Sequence, residues 1–212
     1  MKKIFVLTAA IFLSATASFS QTLAENTTVR SCMFMLPGEG AYMETYLIAG
    51  ANAIEYLPEK PRGFKGAVEV QILIVEGDKV VNFDKYQLNT PIVYDTNAIN
   101  FSIMDQKRLF IPNTTVSVEV KVIDVNDPEN FFSSTEVFTA FVENSVQISD
   151  IQFVESYKET SKENTFTKNG LELQPHPINF FSSEKKSIVF YGEIYNSDKY
   201  LSLIHISEPT RP

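Results

Sequence analysis

Three observations predict an all-β fold for this 212-residue chain. Apolar residues recur at every second position, as in Val116-Ser-Val-Glu-Val-Lys-Val122, where the valines share one face and Ser117, Glu119 and Lys121 the other. That alternation marks a half-buried antiparallel strand, whose successive side chains point to opposite faces. Turn-forming clusters punctuate the chain at short intervals, and no stretch carries the stripe of an amphipathic helix. About seven short strands in about 110 residues, with turns every eight to twelve, fit an immunoglobulin-like β-sandwich over residues 25–142. An up-and-down barrel is the alternative with the same pattern. An incomplete second β-domain is expected at 146–200.

Residues 1–20 read as a secretory signal peptide. Lys2 and Lys3 form its charged start, Ile4 to Leu13 its apolar centre, and Ser18 and Ser20 set cleavage before Gln21, with Thr22 and Ala24 as an alternative site. An apolar run of about ten residues is too short for a membrane anchor, which needs roughly twenty. Cys32 lies too far downstream to be the acylated first residue of a lipoprotein. No other apolar run reaches membrane length, so no transmembrane segment is expected after cleavage. The chain is expected to be exported, to the periplasm, the outer membrane surface or the medium.

The strand candidates follow in order. Met33–Leu36, Tyr42–Ile48 and Ala53–Tyr56 come first, with Pro37-Gly38-Glu39-Gly40 after the first and the break from Pro58 to Gly66 after the third. Ala67–Val75 points Val68, Val70, Ile72 and Ile74 inward, and its outer face turns apolar at Leu73 and Val75. That strand is therefore expected to be central and partly covered on both sides. Gly77-Asp78 joins it to Lys79–Phe83 in a tight hairpin. Ile99–Ile103, Val116–Val122 and Thr135–Val142 complete the set, with Asn89-Thr90-Pro91, Pro112-Asn113 and Asn126-Asp127-Pro128 as breaks. Glu143-Asn144-Ser145 breaks the pattern and sets the boundary. Val146–Val154 starts a new strand, the charged Ser156–Thr167 reads as a mobile loop, and Leu171–Leu173 and Ser187–Asn196 read as further strands.

Ile148-Ser-Asp-Ile151, Thr167-Lys-Asn-Gly-Leu171, Pro175-His-Pro177 and Ile188-Val-Phe-Tyr-Gly-Glu-Ile-Tyr-Asn196 occur in an order that resembles the GWxTD-domain proteins. These are secreted or envelope-associated proteins of Gram-negative bacteria in which β-sandwich modules precede a C-terminal domain. The resemblance covers about residues 148–198 and implies architecture and location, not a reaction. The naming Gly-Trp-x-Thr-Asp motif is absent, and the chain has no Trp. Residues 201–212, Leu-Ser-Leu-Ile-His-Ile-Ser-Glu-Pro-Thr-Arg-Pro, resemble a translated sequencing-library adapter. They are expected to be non-native, with the natural protein continuing past Tyr200.

Composition excludes several function classes. The formal net charge is −8, and losing Lys2 and Lys3 takes it to −10, so counterion-release binding to nucleic acid is not expected. A single Cys permits no intrachain disulfide, so apolar burial must hold the fold, and 44% hydrophobic residues including 17 Phe supply it. No metalloprotease, nucleophile-elbow, phosphate-loop or paired-cysteine motif is present, and no catalytic residue or cofactor is expected. Pro175 and Pro177 make His176 a stiff extended loop residue rather than a catalytic base. Cys32 reads as a small buried hydrophobe at the start of a strand.

Asp124-Val-Asn-Asp-Pro-Glu-Asn130 is the one metal candidate, since Asp124, Asp127, Glu129 and Asn130 offer oxygens of the kind calcium takes. Turn chemistry is the competing account of the same residues. Tyr42, Tyr46, Tyr86 and Tyr94 offer aromatic faces for a sugar, or sit at sheet rims with their hydroxyls in water. The favoured expectation is a non-enzymatic exported module that binds another protein or an envelope component. The alternatives are accessory domains of an enzyme whose catalytic part lies elsewhere, or a carbohydrate-binding module.

Overall fold

The computed structural model describes residues 21–36, 38–139, 141, 145–176, 178 and 180–197. The expected signal peptide at 1–20, the boundary residues Glu143 and Asn144, and the tail at 201–212 lie outside the described residues. Strands dominate. The α-helix α1, Leu23–Asn26, has four residues, and no helix among the described residues is long and apolar enough to cross a membrane.

Seven long strands build a sandwich. β1 (Thr27–Leu36) and β2 (Gly40–Gly50) form a hairpin, and the short β3 (Leu57–Pro58) and β4 (Phe64–Lys65) pair with each other. β5 (Ala67–Glu76) and β6 (Lys79–Asn89) form the next hairpin, followed by β7 (Ser102–Ile111), β8 (Val116–Asp124) and β9 (Phe131–Phe138). One sheet runs β1-β2-β7 and the other β6-β5-β8-β9, with every pairing antiparallel. The all-β, sandwich-like class read from the alternation is the class observed.

Register explains the core. Val70 lies opposite Val122, Ile72 opposite Val120 and Ile74 opposite Val118, so the inward residues of β5 and β8 form one apolar layer. Met33, Met43, Leu47, Ile103 and Ile111 of the other sheet belong to the same buried cluster. Each such side chain contributes roughly 1.5–3 kcal/mol when taken from water. At the β5–β6 turn Gly77 has φ +58°, which lets the two-residue Gly77-Asp78 loop follow the strand twist. The flank between β6 and β7 is bridged by side chains. Asn82 Nδ2 donates to the Phe110 carbonyl at 2.8 Å, and Lys107 pairs with Asp84 at 3.1 Å.

Several expected strands move. The Ile99–Ile103 strand starts at Ser102 and runs on to Ile111, through Asp105, Gln106, Lys107 and Arg108. Its apolar alternation is broken because polar side chains on it serve as partners for other strands. Ala53–Tyr56 is not a strand: Ala51–Ala53 makes a 3₁₀ turn whose Ala51 N–H bonds the Phe101 carbonyl. Met33–Leu36 is the end of a strand that begins at Thr27, and the Thr135–Val142 strand begins at Phe131 and ends at Phe138. β5 is central, and its outward Glu69, Gln71, Leu73 and Val75 are half-buried, so it is partly covered on both sides as expected. β2 is buried on both faces.

The C-terminal residues add β10 (Gln147–Ile148), β11 (Gln152–Glu159), β12 (Thr167–Lys168), β13 (Leu171–Pro175), β14 (Val189–Tyr191) and β15 (Ile194–Tyr195). β12-β13-β11-β14 form one antiparallel sheet and β10-β15 a second pair. The expected Val146–Val154 strand breaks at Ser149-Asp150-Ile151, and Ser187–Asn196 breaks at Gly192-Glu193. The two halves on each side of these corners pair with different strands. Ser156–Glu159, expected as loop, belongs to β11. Its charges are cross-strand partners, with Lys158 opposite Glu172 and 3.0 Å from its carboxylate.

Candidate functional site

The alternation along β2 divides its side chains between two environments. Ala41, Met43, Leu47 and Ala49 enter the sandwich core, while Tyr42 and Tyr46 join Cys32 and Phe34 in a second buried cluster against Tyr191 of β14. Glu44 stands between those two tyrosines on the same face and is 0% exposed. A carboxylate there must be paired, because desolvating an unpaired charge costs several kcal/mol.

Three donors meet it. Arg108 of β7 donates through Nε, the Tyr46 hydroxyl donates to Oε2, and Lys168 Nζ lies 2.8 Å from Oε2. The hairpin between β12 and β13 delivers Lys168. Asn169 and Gly170 both have positive φ, 50° and 77°, which a two-residue turn of this hand requires and which Asn-Gly accepts most readily. Lys168 Nζ also lies 3.2 Å from the centre of the Phe34 ring, 5.0 Å from that of Tyr191 and 3.5 Å from Gln152 Oε1. Burial holds the Lys168 pKa below the ordinary lysine value, while Glu44 works to raise it and Arg108 to lower it. Burial and the Glu44 charge push the Tyr46 hydroxyl up.

The junction also caps exposed main chain. On the free edge of β1, Met33 N–H donates to Asp150 Oδ2 at 2.8 Å and Met35 N–H to the Tyr195 hydroxyl at 2.9 Å. Asp150 N–H returns a bond to the Met33 carbonyl at 3.2 Å. Near β12, Gln106 Nε2 donates to the Thr165 carbonyl and Arg108 Nη2 to that of Thr167, both at 3.1 Å. These side chains occupy the places a neighbouring strand would take.

The residues singled out from sequence are scattered. Cys32 and His176 line one cleft of about 470 Å³ between β1, β9 and β11. The Cys32 thiol is buried and its pKa is pushed up to about 12, by burial first and the Asp150 charge second, which disfavours the thiolate. His176 Nδ1 pairs with Glu155 at 2.7 Å and its ring stacks on Phe181 at 4.6 Å. The sheet-rim reading of the tyrosines fails for Tyr42 and Tyr46, which lie under the C-terminal sheet. Tyr86 sits beneath Lys107 on β6, and Tyr94 is exposed beside Arg62. They share no common platform.

Two residues of the calcium candidate, Asp124 and Asn130, form a clamp on the main chain. Asp124 is fully buried, with Oδ2 accepting from Glu55 N–H at 2.6 Å and Oδ1 from Asn126 N–H at 3.0 Å. Asn130 Nδ2 donates to the Ala53 carbonyl at 2.7 Å, and its Oδ1 accepts from Leu23 N–H at 2.8 Å. Asp127 and Glu129 are exposed on the turn. Among the described residues no group of three or more His, Cys, Asp and Glu is placed to hold a metal ion. The residues that sequence reasoning missed are Glu44, Arg108, Gln152 and Lys168. Two signals pointed to Glu44 and Lys168: a lone acid inside the apolar run Ala41–Gly50, and a lysine abutting an Asn-Gly turn.

Comparison of the chain with protein-family models, with curated proteins and with solved structures finds no match in any of the three.

Proposed function

We propose that the chain is a non-enzymatic, exported interaction module of a GWxTD-type envelope protein, and that it binds an extended segment of a partner protein by strand addition at β14. The open edge of β14 carries this reading. β1 and β12 have their free main chain capped by side chains, and Asn82 and Lys107 bridge the flank between β6 and β7. β14 pairs with β11 through Gln152–Val154, and among the described residues nothing bonds its other side. Phe190 on β14 is 62% exposed, and Ile188 and Ile194 beside it are exposed as well. An unpaired apolar strand offers main-chain bonds for affinity and alternate side-chain positions for selectivity.

The test is selection of extended peptides from a displayed library against the full chain. Selected peptides should alternate apolar residues, slow amide exchange at 188–192, and lose binding to Val189→Pro and Phe190→Asp variants that keep the β-rich circular dichroism. Peptides that bind both variants as well as the parent, or that protect amides elsewhere, overturn the edge assignment.

A further inference from the structure

Gln152, Lys168 and Glu44 bring a carboxamide, an amine and a carboxylate together out of water. Their exposures are 3%, 7% and 0%. Lys168 Nζ lies 2.8 Å from Glu44 Oε2 and 3.5 Å from Gln152 Oε1, and Phe34 covers the amine at 3.2 Å. The ion pair accounts for the carboxylate, and the rings account for the cation. The Gln152 oxygen accepts from the same ammonium at 3.5 Å, which holds a primary carboxamide beside the amine among buried groups. An amine, an acyl carbon and a proton carrier in this proximity are the parts of an acyl transfer.

We infer that Lys168 and Gln152 are placed to join by an intramolecular amide bond, with Glu44 carrying the proton. Glu44 accepts a proton from the Lys168 ammonium, and the freed lone pair attacks Cδ of Gln152. As the tetrahedral intermediate collapses, the Nζ–Cδ bond remains and the Cδ–Nε2 bond breaks. Nε2 leaves as ammonium, taking the proton held on Glu44 and a second proton from Nζ. Glu44 is regenerated as a carboxylate, and no oxidant or reductant is needed. Burial lowers the Lys168 pKa, which acts in the direction of the first proton transfer. Glu44 itself is the poorer acceptor of the amine, because its charged carboxylate is already bonded by Arg108, Tyr46 and Lys168. The product ties β11 to β12 across β13, which lies between them in the sheet. This chemistry is independent of what binds at β14.

Peptide mapping of the folded full chain by tandem mass spectrometry tests the inference. The expected result is a branched peptide joining Gln152 to Lys168, with the corresponding linear peptides lost. Intact mass falls by one ammonia per bond. Gln21, the first residue of the expected mature chain, loses the same mass if it cyclises, so the branch point is the deciding signal. Lys168→Arg keeps a cation beside Glu44 and should give only linear peptides while staying folded. Glu44→Gln, where it folds, should leave the linear peptides intact. Folded parent protein that yields only linear Gln152 and Lys168 peptides after prolonged incubation overturns the inference. So does loss of water with Lys168 joined to Glu44.

Discussion

The two sheets of the sandwich turn outer faces of opposite fate to their surroundings. On the β6-β5-β8-β9 sheet, Glu69 and Gln71 are half-buried, Glu119 is exposed, and Glu69 holds Lys85 in a surface pair at 2.9 Å. On the β1-β2-β7 sheet, Tyr42, Glu44 and Tyr46 lie beneath the C-terminal strands. β2 and β8 follow the same two-residue period. The period says which side chains share a face, and only the rest of the chain decides what that face meets.

Glutamates on the two faces give the sharpest test. Glu44→Leu leaves Lys168 without its counter-ion and should cost about 3–5 kcal/mol, whereas Glu119→Leu should change stability by no more than about 0.5 kcal/mol. Adding Lys168→Met to Glu44→Leu removes the stranded charge and should recover most of the loss. Urea unfolding of the four proteins measures all of this. Equal losses for the two single variants would erase the distinction between the faces.

Alkaline titration probes the same covered face. Burial is the largest cause of the raised pKa values of Tyr42, Tyr46 and Tyr195. The folded protein therefore keeps phenolic protons that the unfolded chain releases above about pH 10. Their stabilising contribution is complete below that value and is lost as pH rises past it. Lys168 has the opposite sign in chains where its amine is still free, since its lowered folded pKa makes stability rise with pH up to about 10.4. Several tyrosines outweigh one lysine, so net stability should fall above about pH 10. Phenolate absorbance from the buried tyrosines should appear together with loss of the β-sheet spectrum. Smooth titration of every tyrosine before unfolding would contradict the burial of that face.

A smaller contrast sits at the 124–130 turn. Asp124→Ala removes the acceptor for the Glu55 and Asn126 N–H groups and should cost about 1–3 kcal/mol, while Asp127→Ala on the exposed side should stay within about 0.5 kcal/mol. The same pair of variants should leave thermal stability indifferent to added calcium.

Much of the sandwich was legible because Val116–Val122 and Ala67–Val75 carry their faces openly, one side apolar. β7 was not, because Gln106 and Arg108 point polar groups at carbonyls near β12 and break the alternation that marks a strand. Ser156–Glu159 looked like loop because both its charges and its partners' charges lie on a solvated strand. The junction was hidden for a different reason. Glu44 and Lys168 are 124 positions apart, and neither residue signals the other until the Asn169-Gly170 turn and the β2 register are in place. Their meeting is a property of the fold rather than of any local pattern.

Tyr195 ties the last strand pair into the molecule's interior. Its ring meets Phe141 edge-on at 5.4 Å, its hydroxyl reaches the main chain of β1, and it belongs to the same apolar cluster as the valines of β8. Heat therefore has no easy route to peel the final layer away first. Loosening that ring unseals the interior, so both layers should melt in a single transition.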